Sequence, residues 1–344
     1  MDQLNNQPLH QVAQALVSGG KGLLAMDESI PTCNARLREN GIPETALYRQ
    51  KYRELIVTTS GLEEFISGAI LSDETLTSSA AGSKPFAEML TSRGIMAGIK
   101  VDQGTVPMAG VPGEKVTEGL DGLAVRLQNY RRYGVRFAKW RSVTHISTGS
   151  PSSAALHFNA QLLARYAAIC QEASLVPIVE PEVLMTGAHS LELCHQVTRQ
   201  FLFELFNALY EHRVDLRAIL LKPNMVLPGT DSPDQSSDDE IALATLACLL
   251  DRVPAAVPGI VFLSGGQAAK AATKRLNALN QEGQLKGPWK LSFSFSRAIL
   301  QPVLAYWKGQ DQYLPGAQQI LLHRSGCNSA ACLGNYHPEE DIAP

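Results

Sequence analysis

The sequence predicts an α/β chain folded as a closed (β/α)8 barrel, the TIM-barrel architecture. It is expected to form one domain over residues 1–344, with extra helices at the N- and C-terminal ends. Two observations carry this. Eight short apolar runs alternate with segments of helical period, and nearly every run ends in a charged or hydroxyl side chain. Strand alternating with helix implies a parallel sheet, and eight such units in one chain imply closure. The length of 344 residues, 45% of them hydrophobic, suits one large barrel. The barrel core is expected at about residues 21–308 and a C-terminal tail at about 309–344.

Leu9 to Val17 has apolar residues at helical spacing ahead of the first run, Gly22–Glu28. The next runs are 65–71, 96–102, 137–143 and 176–182. The sixth, Ala218–Met225, has four apolar residues leading into Lys222. Pro223 then stops it, because proline cannot donate to a sheet ladder. Runs seven and eight are 260–266 and 291–297. Helical period is clear over 120–133, 152–173, 190–212, 239–250 and 267–281, and serine or aspartate stands near the start of several as a cap. Pro31 to Ser60 is a long first connection with Tyr48, Tyr52 and Leu55 at helical spacing. From Tyr306 onward a further loop and helix are expected. The polar stretch Pro228–Asp239 reads as a rim loop rather than a linker.

Net charge is −3, which points to neither nucleic acid nor an anionic membrane surface as a partner. Six scattered cysteines contain no C-x-x-C pair. Cys327 and Cys332 have no histidine ligand motif beside them, so reduced, mostly buried thiols are expected rather than a disulfide framework or structural zinc. The eight histidines show no ligand spacing on strand ends, and no metal site is predicted. The N-terminus has neither a basic region nor an apolar core of signal-peptide type. The longest apolar run, Ile241–Leu250, is too short to span a bilayer. A soluble, cytoplasmic protein is expected, or a plastid-stroma one if a transit peptide has been removed.

Active sites of such barrels lie at the carboxyl ends of the strands. The polar residues there are Asp27, Lys100, Lys139 and Arg141, Glu180 and Glu182, Lys222, Ser264, and Ser294 with Arg297. Residues two apart in a strand share a face, so Lys139 points with Arg141 and Glu180 with Glu182, while Trp140 turns away. Lys222 alone reads equally as a lysine with its head in water or as an amine nucleophile in a low-dielectric pocket. A nearby ammonium favours the nucleophile by disfavouring a second charge, and a carboxylate can move protons for it. Ser264-Gly265-Gly266 opens the seventh βα loop and Arg297 follows the eighth strand, the usual phosphate-binding region of such barrels. These ingredients suit imine chemistry on a phosphorylated carbonyl compound.

The runs LLAMDES (23–29), GIKVD (98–102), GLDGLAVR (119–126), RFAKWR (136–141), VPIVEPEV (176–183), LLKPNM (220–225), FLSGGQ (262–267) and FSFSRA (293–298) resemble class I fructose-bisphosphate aldolase, in order over nearly the whole chain. The resemblance implies reversible aldol cleavage of fructose 1,6-bisphosphate to dihydroxyacetone phosphate and glyceraldehyde 3-phosphate, in glycolysis, gluconeogenesis or the Calvin cycle. It assigns Lys222 to the Schiff base, Glu180 to acid–base work on the imine with Lys139 beside it, and Asp27 to the hydroxyl next to the breaking bond. Lys100 and Glu182 tune the charge. Ser264, Gly265 and Arg297 match the grip on the ketose-end phosphate, with Ser294 and Ser296 beside them. Arg36, Lys100 and Arg141 match residues near the other phosphate. No metal or other cofactor is implied beyond the covalent imine, and a homotetramer is.

The chain departs from the animal pattern at Thr32 and Ala35, where serine and lysine are usual, and at Ser296, which replaces a glycine. It also lacks a terminal tyrosine, its last being Tyr336. Trimming residues 338–344 is therefore expected to change activity little. Sedoheptulose 1,7-bisphosphate is an open second substrate. A transaldolase-like Schiff-base enzyme and a non-catalytic scaffold are the competing readings.

Overall fold

Strand alternation fixes the barrel. In the computed structural model, which describes residues 7–79, 84–233, 236–281 and 287–342, eight parallel strands close on one another. They are β1 (Gly22–Met26), β2 (Ile66–Leu71), β3 (Met96–Lys100), β4 (Phe137–Thr144), β5 (Val176–Val183), β6 (Leu220–Leu221), β7 (Gly259–Phe262) and β8 (Lys290–Phe295). β1 pairs with both β2 and β8, which completes the ring.

Successive side chains alternate between two separate cores. Leu23, Ala25, Ile70, Phe137, Val176, Ile178, Leu220 and Val261 face inward. They pack against Val12, Ala13, Leu16 and Val17, from helix α1 (Leu9–Leu16) and its C-cap. This apolar set forms the floor of the barrel. The intervening residues, among them Leu24, Trp140, Val179 and Leu221, face outward into the layer beneath the helices. Trp140 meets Tyr166 there at a ring-centroid distance of 5.5 Å. The floor is packed so closely that a Cβ at Gly98 would lie 2.1 Å from the Phe137 ring.

The helices are α2 (Ile30–Glu39), α3 (Ala46–Val57), α4 (Asp73–Thr77), α5 (Phe86–Ser92), α6 (Leu123–Arg131), α7 (Ser153–Glu172), α8 (Leu191–Glu211), α9 (Asp238–Arg252), α10 (Ala269–Gln281), α11 (Arg297–Trp307) and α12 (Leu314–Cys332). Ser152, Ser190 and Ser237 cap α7, α8 and α9 through their hydroxyls. Ser237 and Glu240 form a reciprocal capping box.

Several boundaries differ from the sequence reading. The sixth strand shrinks to two residues, because Leu216–Ala218 forms a 3-10 turn before it and Pro223 follows it. Its neighbours still hold the backbone beyond the strand: Lys222 N donates to Val179 O at 2.8 Å and Leu263 N to Pro223 O at 3.1 Å. The long first connection contains two helices, α2 and α3. The region after the eighth strand is helix α11 running through Pro302 and then α12. An antiparallel ribbon of Thr105–Pro107 with Lys115–Thr117 was not legible in advance.

The segment after α12 is tied down. Asp341 is buried, and its carboxylate accepts from Arg324 Nη1 at 2.5 Å and Tyr336 Oη at 2.7 Å and lies 2.8 Å from His323 Nε2. Lys270 donates to its carbonyl at 2.6 Å. His323 also lies 3.6 Å from Cys327 Sγ, a proximity the absence of a histidine ligand motif beside Cys327 had not suggested. The spacing is one helical turn, and the third group, Asp341, arrives from the following segment. Arg324 already neutralises this carboxylate, which works against a dication there.

Residues 338–344 therefore carry a buried charge partner. Asp341→Ala, or truncation at residue 337, should lower unfolding free energy by about 3–5 kcal/mol by leaving Arg324 buried and unpaired. Urea unfolding monitored by tryptophan fluorescence measures this directly.

Candidate active site

Above the apolar floor the same inward-facing positions become charged. On β4 the order is Phe137, Lys139, Arg141. On β5 it is Val176, Ile178, Glu180, Glu182, and after β6 Leu220 gives way to Lys222. Register does the rest: Arg141 stands opposite Glu180, Val143 opposite Glu182 and Lys100 opposite Lys139.

Four buried charges form a chain across the mouth. Lys139 Nζ lies 2.7 Å from Asp27 Oδ2 and 3.1 Å from Glu180 Oε2. Lys222 Nζ lies 3.1 Å from Glu180 Oε1. Each of the four is at most 7% exposed, so these ions are held by one another rather than by water. Glu180 Oε2 makes no aligned hydrogen bond despite the nearby ammonium and retains an unused lone pair.

The charge set explains its own titration. Burial alone would raise Asp27. Lys139 and Lys222 outweigh it, with help from the Lys139 hydrogen bond and from Lys100, and bring the carboxyl down to about 2. Glu180 is likewise lowered: burial opposes, but Lys139, Lys222 and Arg141 prevail over burial and over repulsion from Asp27. Burial would lower Lys139, yet the carboxylates of Asp27, Glu180 and Asp102 hold its ammonium above the ordinary lysine range. Glu180 thus bridges a firmly charged lysine and Lys222, in hydrogen-bonding reach of the latter. That is the placement a proton carrier for an amine needs.

The flanks are cationic. Arg141 Nε pairs with Glu182 Oε2 at 2.5 Å, and Lys100 Nζ pairs with Asp102 Oδ1 at 2.6 Å. Arg36 pairs with Glu28 and donates to Ser296 Oγ at 2.9 Å, and Arg53 holds the other Glu28 oxygen at 2.6 Å. Arg297 has no carboxylate within ion-pair distance among the described residues. Burial first, then the positive charge of Arg36, lowers it from the ordinary arginine range. Gly265 and Gly266 have φ of +56° and +100°, and a Cβ at Gly266 would come to 3.3 Å of Arg297 Nη2. The turn can follow this path closely because it is glycine. At Ser296 φ is −113°, so replacing a glycine there brings no left-handed strain.

Every residue singled out in the sequence lines one cavity of about 510 Å³: Asp27, Arg36, Lys100, Lys139, Arg141, Glu180, Glu182, Lys222, Ser264, Gly265, Ser294, Ser296 and Arg297. Glu28 and Asp102 also line it and were not among the expected site residues. Asp102 shows a signal in retrospect, because it follows Lys100 at the two-residue spacing that sets strand faces. Arg53, which anchors Glu28 from α3, gives no such signal. Tyr336 is not part of the cavity; its hydroxyl is committed to Asp341.

A (β/α)8 barrel with a buried amine beside a carboxylate and guanidinium groups on its flanks belongs among barrel enzymes acting on anionic carbonyl compounds through an amine nucleophile. A family model described as fructose-bisphosphate aldolase class-I matches residues 8–343. The chain belongs to the class I fructose-bisphosphate aldolase family, and it is a carbon–carbon lyase of glycolytic type. It is 48% identical over 340 residues to fructose-bisphosphate aldolase 2 of Caenorhabditis elegans, covering 99% of this chain and 93% of that one. It is 48% identical over 325 residues to the cytosolic fructose-bisphosphate aldolase 4 of Arabidopsis thaliana, covering 94% and 82%. A solved fructose-bisphosphate aldolase of Plasmodium falciparum, in complex with TRAP and a small-molecule inhibitor, superposes with a TM-score of 0.94 at 43% identity, covering 98% of this chain and 97% of that one. No described helix is long and apolar enough to cross a membrane.

Lys139→Met should expose the charge balance. Asp27 has a depressed pKa, so its contribution is present above the unfolded value and is lost as pH falls toward 2. Lys139 has a raised pKa, so its contribution holds below the unfolded lysine value and fades only on the alkaline side. The variant should lose about 2–3 kcal/mol at pH 7, with a gap to the parent that narrows between about pH 4 and pH 2. Urea midpoints across that range give the comparison.

Proposed function

We propose that Lys222 is the imine-forming amine and that the four-charge chain carries its protons. The observation behind this is the Glu180 carboxylate standing 3.1 Å from the ammonium groups of both Lys222 and Lys139. Glu180 takes a proton from the Lys222 ammonium, the freed amine attacks the ketone carbon of fructose 1,6-bisphosphate, and a proton passes from nitrogen to the resulting alkoxide. Glu180 then returns its proton to the carbinolamine hydroxyl, water leaves and a protonated imine forms. Asp27 then takes the proton of the hydroxyl next to the bond that breaks. That bond's electron pair passes into the imine, leaving an enamine and releasing glyceraldehyde 3-phosphate. Protonation of the enamine carbon restores the imine, and hydrolysis frees dihydroxyacetone phosphate and Lys222. Lys139, ion-paired to both Asp27 and Glu180, keeps each ionised when its proton has been passed on.

Ser264, Gly265, Ser294 and Arg297 hold the ketose-end phosphate, and Arg141 and Lys100 face the other. Arg36, which the resemblance assigns to the other phosphate, is drawn toward Ser296 by its hydrogen bond and so also stands near Arg297, between the two ends. The imine supplies the electron sink, so the reaction proceeds without a metal. The chain acts as a single domain and assembles as a homotetramer in the cytoplasm.

Borohydride added with dihydroxyacetone phosphate should fix one adduct per chain on Lys222, with activity unaffected by chelators. Peptide mass spectrometry locates the adduct, and finding it on another lysine rejects the assignment. Lys222→Met should fold and show at least a 10³-fold loss of kcat on the scale typical of a lost nucleophile.

The cavity volume of about 510 Å³ lies within the range of small-molecule sites and supports sedoheptulose 1,7-bisphosphate, longer by one hydroxylated carbon, as a second substrate. Parallel assays on the two bisphosphates should give kcat/KM values within about 100-fold of each other, because one extra hydroxylated carbon changes few contacts.

A further inference from the structure

At the opposite end of the barrel from the active site lies a second cavity of about 530 Å³. It opens between α5, the start of β3 and the turn that leads from α6 into β4. Three arginines border it: Arg131, Arg132 and Arg136. Arg131 and Arg132 are exposed. Arg136, the residue before β4, is only 8% exposed. Its backbone is fixed in the sheet, with N donating to Ala97 O at 2.9 Å and O accepting from Val176 N at 3.1 Å. Among the described residues, however, its guanidinium has no carboxylate or carbonyl partner. Glu88, the carboxylate bordering the same cavity, is taken by Lys84 at 2.7 Å. Burial, then repulsion from Arg131, lowers Arg136 from the ordinary arginine range, and no acidic group counters them.

A buried cation is ordinarily paired. This one faces a cavity instead, with two more cations at the rim and no free carboxylate. The remaining wall includes the half-buried Met96 and the exposed ring of Tyr133, while the Ser92 hydroxyl is already donated to Met89 O at 2.9 Å. A planar guanidinium with five donors matches a phosphate oxygen pair, and an apolar wall suits a hydrophobic body attached to it. The volume is that of a small-molecule site.

We propose that this cavity binds an organic phosphate with an apolar or aromatic body, its phosphate seated on Arg136 between Arg131 and Arg132. None of these three residues belongs to the catalytic mouth, so this site is independent of the aldolase reaction.

Phenyl phosphate is the probe. Calorimetric titration uses the full chain carrying Arg297→Ala, which weakens the phosphate grip of the active site, and compares it with the double variant that adds Arg136→Met. The first should bind one phenyl phosphate per chain more tightly than it binds inorganic phosphate. The second should bind it at least tenfold more weakly. In the otherwise unchanged protein, Arg136→Met should keep kcat and raise the ligand-free Tm, because an unpaired buried charge is removed. Equal binding with and without Arg136, or no binding in the first protein, overturns the proposal. A fall in ligand-free Tm also overturns it, since Arg136 would then already have a partner in the assembled protein.

Discussion

The ammonium of Lys139 is the constraint on which the active end of the barrel rests. Two carboxylates, Asp27 and Glu180, are buried within ion-pair distance of it, and neither could stay ionised there alone. Glu180 in turn positions Lys222. These groups come from β1, β4, β5 and β6, so the network is also a test of strand register. A one-residue slip in β4 would send Lys139 into the outer helical layer and bring Trp140 into the mouth. Catalytic geometry and barrel closure are therefore the same structural fact.

The cations at the mouth divide into two kinds. Arg36, Arg141 and Lys100 each have a carboxylate partner, in Glu28, Glu182 and Asp102. Arg297 has none among the described residues, and the glycine turn after β7 presses against it. A phosphate arriving at Arg297 meets an unneutralised charge. One arriving at Arg141 has to share or displace a carboxylate. On the proposed mechanism the two ends of a bisphosphate are thus distinguished by competition, which turns the ketone toward Lys222.

Most of this was legible because strand chemistry has a short period. Apolar runs marked the strands, the two-residue repeat assigned Lys139, Arg141, Glu180 and Glu182 to one face, and Pro223 marked the end of the sixth run. What escaped depended on contacts distant in sequence. Arg53 reads as an ordinary helix residue until it meets Glu28. His323, Cys327 and Asp341 lie on a helix and its trailing segment, and only the fold of that segment brings the carboxylate back. The ribbon at Thr105–Pro107 and Lys115–Thr117 is too short to give a periodic signal. β6 was overestimated because an apolar run does not reveal where ladder pairing begins.

Helix α1 closes the base of the barrel with Val12, Ala13 and Leu16. With that end filled by side chains, the mouth serves for both entry and exit. On the proposed mechanism, while one half of the substrate remains bonded to Lys222, the released aldehyde must depart past the same arginines that admitted it. On that reading traffic is ordered: the second product can detach only after the first has cleared the doorway, and in the reverse direction the ketone must be seated before the aldehyde follows. A stopper at the far end of the molecule thereby imposes a sequence on events at the near one.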